Sequence, residues 1–355
     1  MALGTPLTLA LALLIPALTP VLADEPPATG KDFTLKGEAL TPTPAREGEQ
    51  VVYHDQLKPA GKEDSNVWSE NGTITLPGGG SGFRGPFQAQ PVALSLNRLP
   101  EHSWLRLRFK LYVVGSWDGS NRVWGPDLWS LQVRGAQRLF FTTFCNMGDF
   151  ANNNAQSYPD EYPWGGQKAW TGATSKNSLH FTSGKSPTTN GDDLNDGVYL
   201  IEAVFPHSGE SLILDFAGIY NDPPNEKQSW GVGDLEVAAM GAPPAVADDE
   251  LPGLWDDLAD KDPMRANAAL WKMVTAGDRA NTFITGKVAE LEAEVNDHKR
   301  GTPPVTGLEA LRLHRAHRII RLLGIQGANP CFRIDHLVPE YFRDLDDTMT
   351  GLHIP

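Results

Sequence analysis

Only two cysteines occur in 355 residues, Cys145 and Cys331, so neither a disulfide-dense scaffold nor a cysteine metal knuckle is available. No Gly-x-Ser-x-Gly, His-Glu-x-x-His, phosphate loop or dinucleotide fingerprint is present, so no catalytic motif identifies an enzyme. Beyond residue 23 no apolar run approaches the roughly 18 to 20 residues that span a bilayer, which predicts no membrane span. Cationic surplus is missing too. With a formal net charge of -14 the chain lacks the basic footprint that a nucleic acid requires.

What is present begins with an apolar run, Leu7 to Leu18, ending in Val21-Leu22-Ala23. It reads as a signal peptide over residues 1–23, cleaved after Ala23, and predicts a secreted or periplasmic protein. Residues 24–50, rich in Pro, Thr, Ala and Glu, read as a flexible linker.

From residue 51 to 239 short strand-like runs alternate with Gly, Asn, Asp, Ser and Pro clusters. The clearest, Ser103 to Val114, sets Leu105, Leu107, Phe109 and Leu111 on one face and Arg106, Arg108 and Lys110 on the other, predicting a core face and a solvated face. Further strands are expected at Thr73 to Leu76, Pro91 to Asn97, Leu128 to Arg134, Arg138 to Phe144, Val198 to Phe205, Glu210 to Ala217 and Gly231 to Val237. The expected fold is mainly β with a separate α region: a jelly-roll-like antiparallel β-sandwich followed by a small helical bundle. Between Asn146 and Asn177 lies a long insertion without clear strands, carrying Tyr158, Tyr162, Trp164 and Trp170.

Residues 240–250 read as a linker and residues 251–328 as the bundle, with 329–355 an irregular tail. Asp262-Pro263 starts a helix to Ala276, a second runs from Asn281 to Lys299, and Thr306-x-x-Glu309 caps a third that ends near Gly324. On that third helix His314 and His317 stand among Arg312, Arg315 and Arg318, a pattern that predicts a solvated face.

Candidate sites follow from residue chemistry. Asp118, Asn121 and Asp127 are hard oxygen donors in one loop and suit a structural Ca²⁺, although Asp-Gly and Pro-Asp are also ordinary turn residues. Asn190 to Gly197 reads as a turn. Trp124, Tyr158, Tyr162, Trp164 and Trp170 are the aromatic loop residues able to offer flat faces to a sugar. Cys145 and Cys331 are either one disulfide or two unpaired thiols.

The ordered run Asn97-Arg98-Leu99-Pro100-Glu101-His102, Ser116-Trp117-Asp118-Gly119, Gly125-Pro126-Asp127, Phe141-Thr142-Thr143-Phe144, Phe205-Pro206-His207 and Gln228-Ser229-Trp230-Gly231-Val232-Gly233-Asp234 resembles exported jelly-roll modules of planctomycete-type bacteria. It departs from them at Gly233-Asp234, where those modules more often carry Asp-Asn. Leu254-Trp255-Asp256-Asp257-Leu258-Ala259 more faintly resembles HEAT-type helical segments. The resemblance implies an exported accessory or binding module. The expected function is therefore a secreted, non-catalytic binding protein for carbohydrate or a cell-surface polymer. A structural assembly protein acting through protein contacts of the sandwich edges and the helical region is the alternative, and a glycoside hydrolase the third reading.

Overall fold

The computed structural model describes residues 48–55, 67–70, 72–76, 82–121, 125–147, 155–179, 195–220, 228–297 and 307–324. The leader, Trp124, Cys331 and the tail lie outside them. The strands are β1 (Glu49–His54), β2 (Thr73–Ile74), β3 (Phe83–Phe87), β4 (Val92–Asn97), β5 (Trp104–Gly115), β6 (Leu128–Val133) and β7 (Arg138–Thr143). They continue with β8 (Ala155–Gln156), β9 (Gln167–Lys168), β10 (Ala173–Lys176), β11 (Asp196–Pro206), β12 (Ser211–Ile219) and β13 (Gln228–Met240). After a short 3-10 turn come α1 (Leu251–Asp257), α2 (Pro263–Thr275), α3 (Asp278–Asp297) and α4 (Gly307–Leu322).

Eight of these strands have the jelly-roll winding. β3 pairs with β13, β4 with β12, β5 with β11 and β6 with β7, all antiparallel, as though one long hairpin were wrapped around a core. The wrapping yields one sheet ordered β10-β11-β5-β13-β3-β2, with β1 also on β13, and a facing sheet ordered β4-β12-β6-β7. The alternation in β5 fixes its register: Leu105, Leu107, Phe109 and Leu111 are all buried between the sheets. Trp129 at the centre meets Phe109, Phe140, Phe144, Phe216 and Trp230 with ring centroids 6.1 to 6.3 Å apart. Each such side chain contributes about 1.5–3 kcal/mol by leaving water.

The other face of β5 departs from expectation. Arg106 is buried, its guanidinium forked onto Glu49 of β1 at 2.7 and 3.0 Å and bonded to Glu236 of β13 at 2.9 Å. Lys110 pairs with Asp234 at 2.9 Å and Arg108 stands 3.9 Å from Glu202. The sequence pattern identified neither β1 nor β3. β3 contains Gly85-Pro86, which reads as a break, and its place beside β13 admits a residue with no N–H to give.

The helices are joined to the sandwich by one continuous apolar core that includes Leu254, Leu270, Val274, Ile284, Leu313 and Ile319 alongside the sandwich residues. Asp262 caps α2 through Met264 N–H at 2.9 Å with Pro263 at the first helical position, as its sequence predicts. α3 begins at Asp278, earlier than expected, because the turn needs only Gly277 in the left-handed region (φ 59°). Among the described residues no helix is long and apolar enough to cross a membrane.

Candidate functional site

The two motifs around which the sandwich sequence is organised meet at one end of the core, and their work is architectural. Trp117 is wholly buried and its indole N–H donates to the carbonyls of Ser229 at 3.1 Å and Val114 at 3.2 Å. Gln228 bridges the two motifs: its amide N–H groups donate to Ser116 O at 2.8 Å and to Asp127 Oδ2 at 3.0 Å. Gly119 has φ 68°, and a Cβ there would lie 2.2 Å from Ala155 O, so only glycine fits. Trp230 lies in the core with its N–H on Gln88 O at 2.9 Å.

The same geometry defines what Asp118, Asn121 and Asp127 do. Asp127 is buried, and its Oδ2 accepts from Asp118 N–H at 2.6 Å as well as from Gln228. Asn121 N–H donates to Asp118 O, Gly125 N–H to Asn121 O and Asp127 N–H to Gly119 O, closing the loop on its own backbone. Through its Oδ2 the Asp127 carboxylate clasps the loop to the β13 motif. Among the described residues no group of three or more acidic, His or Cys side chains is gathered for a metal.

The long insertion is a docking platform. Its backbone and α4 together close the outer edge of β7: Thr143 O accepts from Tyr158 N–H, Phe141 O from Tyr162 N–H, and Leu139 O from Arg318 Nη2 at 3.0 Å. Arg318 also donates to Pro159 O at 3.1 Å. Arg315 grips Asp160 with both arms, at 2.6 and 2.9 Å, and Arg321 pairs with Glu161. The face of α4 that reads as solvated is thus the buried one: Arg315 and Arg318 are each 1 % exposed. Burial alone would raise the Glu161 carboxyl, but Arg321 and Arg318 beside it hold it down at about 2. His314, buried between these cations and Trp164, has its pKa lowered to about 3, chiefly by burial.

This placement redistributes the aromatic candidates. Trp164 stacks on His314 with centroids 4.7 Å apart, and Tyr158 packs on Phe144 at 5.0 Å and Tyr199 at 5.4 Å. Neither ring is displayed on an open loop, since Trp164 is 4 % and Tyr158 3 % exposed. Trp170 is half-buried, with φ 61°, its N–H on Asp196 O at 2.9 Å and Lys176 Nζ 5.1 Å from its ring. Tyr162 is half-buried beside β7, and Trp124 lies outside the described residues. Cys145 is a buried free thiol donating to Met147 O, its pKa pushed up to about 12 by burial; its candidate partner Cys331 also lies outside.

Tyr158 nevertheless leads to a site. β10 pairs with β11 only as far as Tyr199, so from Leu200 to Val204 β11 has β5 on one side and α2 on the other. The carbonyls of Asp196 and Val198 point away from β5, to Asn177 N–H and Thr174 Oγ1. By the two-residue period Leu200, Glu202 and Val204 present their backbone groups to α2. Between strand and helix is a cleft of about 220 Å³ lined by those residues, Ile201, Tyr158, Phe140 and the Met264, Asn267, Ala268 and Trp271 face of α2. Asn267 Oδ1 and Trp271 Nε1 are buried without a hydrogen-bond partner among the described residues, capacity that a folded protein rarely leaves unused.

Positions 264, 267, 268 and 271 follow i, i+3, i+4, i+7 spacing, so the sequence did carry a second stripe beside the core stripe of Leu270 and Val274. What it lacked was any sign that a strand edge would face that stripe.

No protein-family model matches the chain, and a comparison with curated proteins finds no match either.

Proposed function

We propose that the protein is an exported, non-catalytic binding protein whose cleft between β11 and α2 holds one small unit of a carbohydrate or cell-surface polymer. The observation that carries this reading is the composition of the cleft. Aromatic walls from Tyr158, Phe140 and Trp271 are combined with the amide of Asn267, the indole N–H of Trp271 and the backbone groups of a strand edge. Flat apolar faces with a few convergent donors and acceptors are what a sugar ring requires. At about 220 Å³ the space is smaller than the roughly 300–1,000 Å³ of sites for drug-sized ligands, which suits a single residue of a polymer.

Binding without turnover is supported by the carboxylates. Glu202 is the only one among the residues lining the cleft, whereas glycoside hydrolysis takes two flanking the scissile bond. Asp160 and Glu161 are held by arginines and Asp127 by N–H donors. Export rests on the apolar leader at residues 7–23.

The test is retention of the protein on a panel of immobilised polysaccharides, with Asn267→Ala and Trp271→Ala alongside. Selective retention that falls in both variants, while their melting temperatures stay within a few degrees, supports the cleft. Absence of retention on every polymer, together with concentration-dependent self-association, would replace this reading with assembly through protein contacts.

A further inference from the structure

Two motif histidines 105 residues apart take no part in the cleft, and the fold brings them together. His102, in the turn before β5, and His207, in the turn after β11, lie with Nε2 and Nδ1 2.8 Å apart and rings nearly parallel, 6° between planes. His102 Nδ1 is 2.6 Å from Pro100 O, which fixes a proton on Nδ1 and leaves Nε2 as an acceptor. The proton in the shared contact therefore belongs to His207 Nδ1. His207 Nε2 is left toward the carbonyl of Ser211, which favours a proton there as well.

We infer that this pair is a proton-counting clasp that holds one pole of the sandwich shut at neutral pH and releases it in acid. Two neutral rings carry two protons, one on each Nδ1, and both contacts are made. A third proton enters on His207 Nε2 and is accommodated by Ser211 O. A fourth must go to His102 Nε2, where it meets the His207 N–H head-on at 2.8 Å, and the N–H···N contact is lost. The clasp joins the β4–β5 and β11–β12 turns, both of which cross from one sheet to the other at this pole. The same turns are linked by Leu99 N–H to Glu210 O at 2.9 Å and His207 N–H to Ser103 O at 3.1 Å, contacts that loosen with it.

The groups facing the rings are the carbonyls of Pro100 and Ser211 and each other. Glu101 and Glu210, in these turns, are exposed. Burial, followed by the proximity of His102, lowers the His207 pKa from 6.5. With the folded value below the unfolded one, the stability linked to His207 is complete above about 6.5 and is lost as the pH falls below it, and the clasp opens once the fourth proton follows.

Imidazole nitrogen NMR on the full chain tests the proton count. Both rings in the Nδ1–H tautomer at neutral pH, titrating in separate steps, is the expected result; independent titration of both at the ordinary value overturns the clasp. Amide hydrogen exchange tests the opening. Protection of the Leu99 and His207 amides, corrected for intrinsic rate, should drop at least about tenfold from pH 7.5 to 4.5 as local opening of the turns becomes that much more frequent. In His207→Gln, or in His102→Gln should the first not fold, that drop should disappear. Unchanged protection in the wild type, or an equal drop in the variant, overturns the proposal.

Discussion

Replacing Arg318 with alanine removes the guanidinium that closes the open end of β7. Its two bonds, to Leu139 O at 3.0 Å and Pro159 O at 3.1 Å, are buried and charge-assisted, and hydrogen bonds of that kind contribute about 1.5–3 kcal/mol each. Both carbonyls would be stranded, and Glu161 would lose one of its two cationic neighbours. Breaking a buried pair from one side costs about 3–5 kcal/mol, so about 3–4 kcal/mol is expected once local relaxation is included. At about 2–4 °C per kcal/mol for domains of 150–250 residues, and toward the low end for this longer chain, the melting temperature should fall by about 6–10 °C. The assay is thermal and urea unfolding followed by tryptophan fluorescence and by far-ultraviolet circular dichroism. Arg265→Ala is the control, because its pairs with Asp257 and Asp260 lie on a side chain 61 % exposed and should leave the melt unchanged. Equal, negligible shifts in both variants would refute the sealing role and restore the solvated face.

Acid should weaken the same interface. Glu161, held at about 2, stabilises the fold above its unfolded value near 4.5 and loses that contribution as the pH falls toward 2; Glu161→Gln should flatten the melting curve in that window. His314, lowered to about 3, stabilises the fold above 6.5 and loses its contribution on the way to 3, a trend that His314→Phe should abolish. Asp127→Ala should lower stability by about 2–3 kcal/mol through the stranded Asp118 and Gln228 donors; chelation with EDTA tests the expected Ca²⁺, a lowered wild-type melt that Asp127→Ala abolishes supporting it at this loop and an unchanged melt removing it. Gly119→Ala should impair folding, read as loss of soluble yield, because its Cβ would meet Ala155 O at 2.2 Å.

The sandwich was legible because its information is local. The alternation of Leu105, Leu107, Phe109 and Leu111 specifies a strand and its buried face, and the Asp262-Pro263 and Gly277 signals bound a helix. The α4 face was illegible for the opposite reason. Arg315 and Arg318 look like solvent-facing residues until Asp160 and Pro159, more than 150 positions earlier, are placed beside them. Arg106 misleads in the same way, since its partners Glu49 and Glu236 come from strands 57 and 130 residues away. The aromatic insertion stood out in the sequence for its Tyr and Trp residues, yet Tyr158 and Trp164 face inward because the edge of β7 and the helices enclose them. The cleft could not be read at all from one stripe of α2, because its other wall is the backbone of a strand whose neighbour stops short.

The seal on β7 has a consequence for the order of synthesis. Leu139 is made 179 positions before the arginine that caps it. At about 5–20 residues per second, roughly 9–36 seconds pass between the two. Throughout that interval a nascent sandwich carries a strand margin with its carbonyl unmatched, able to recruit the strand of a neighbouring chain. α4 thus completes the sandwich late in biogenesis, and any delay or premature stop before residue 318 leaves the nascent chain a template for aggregation.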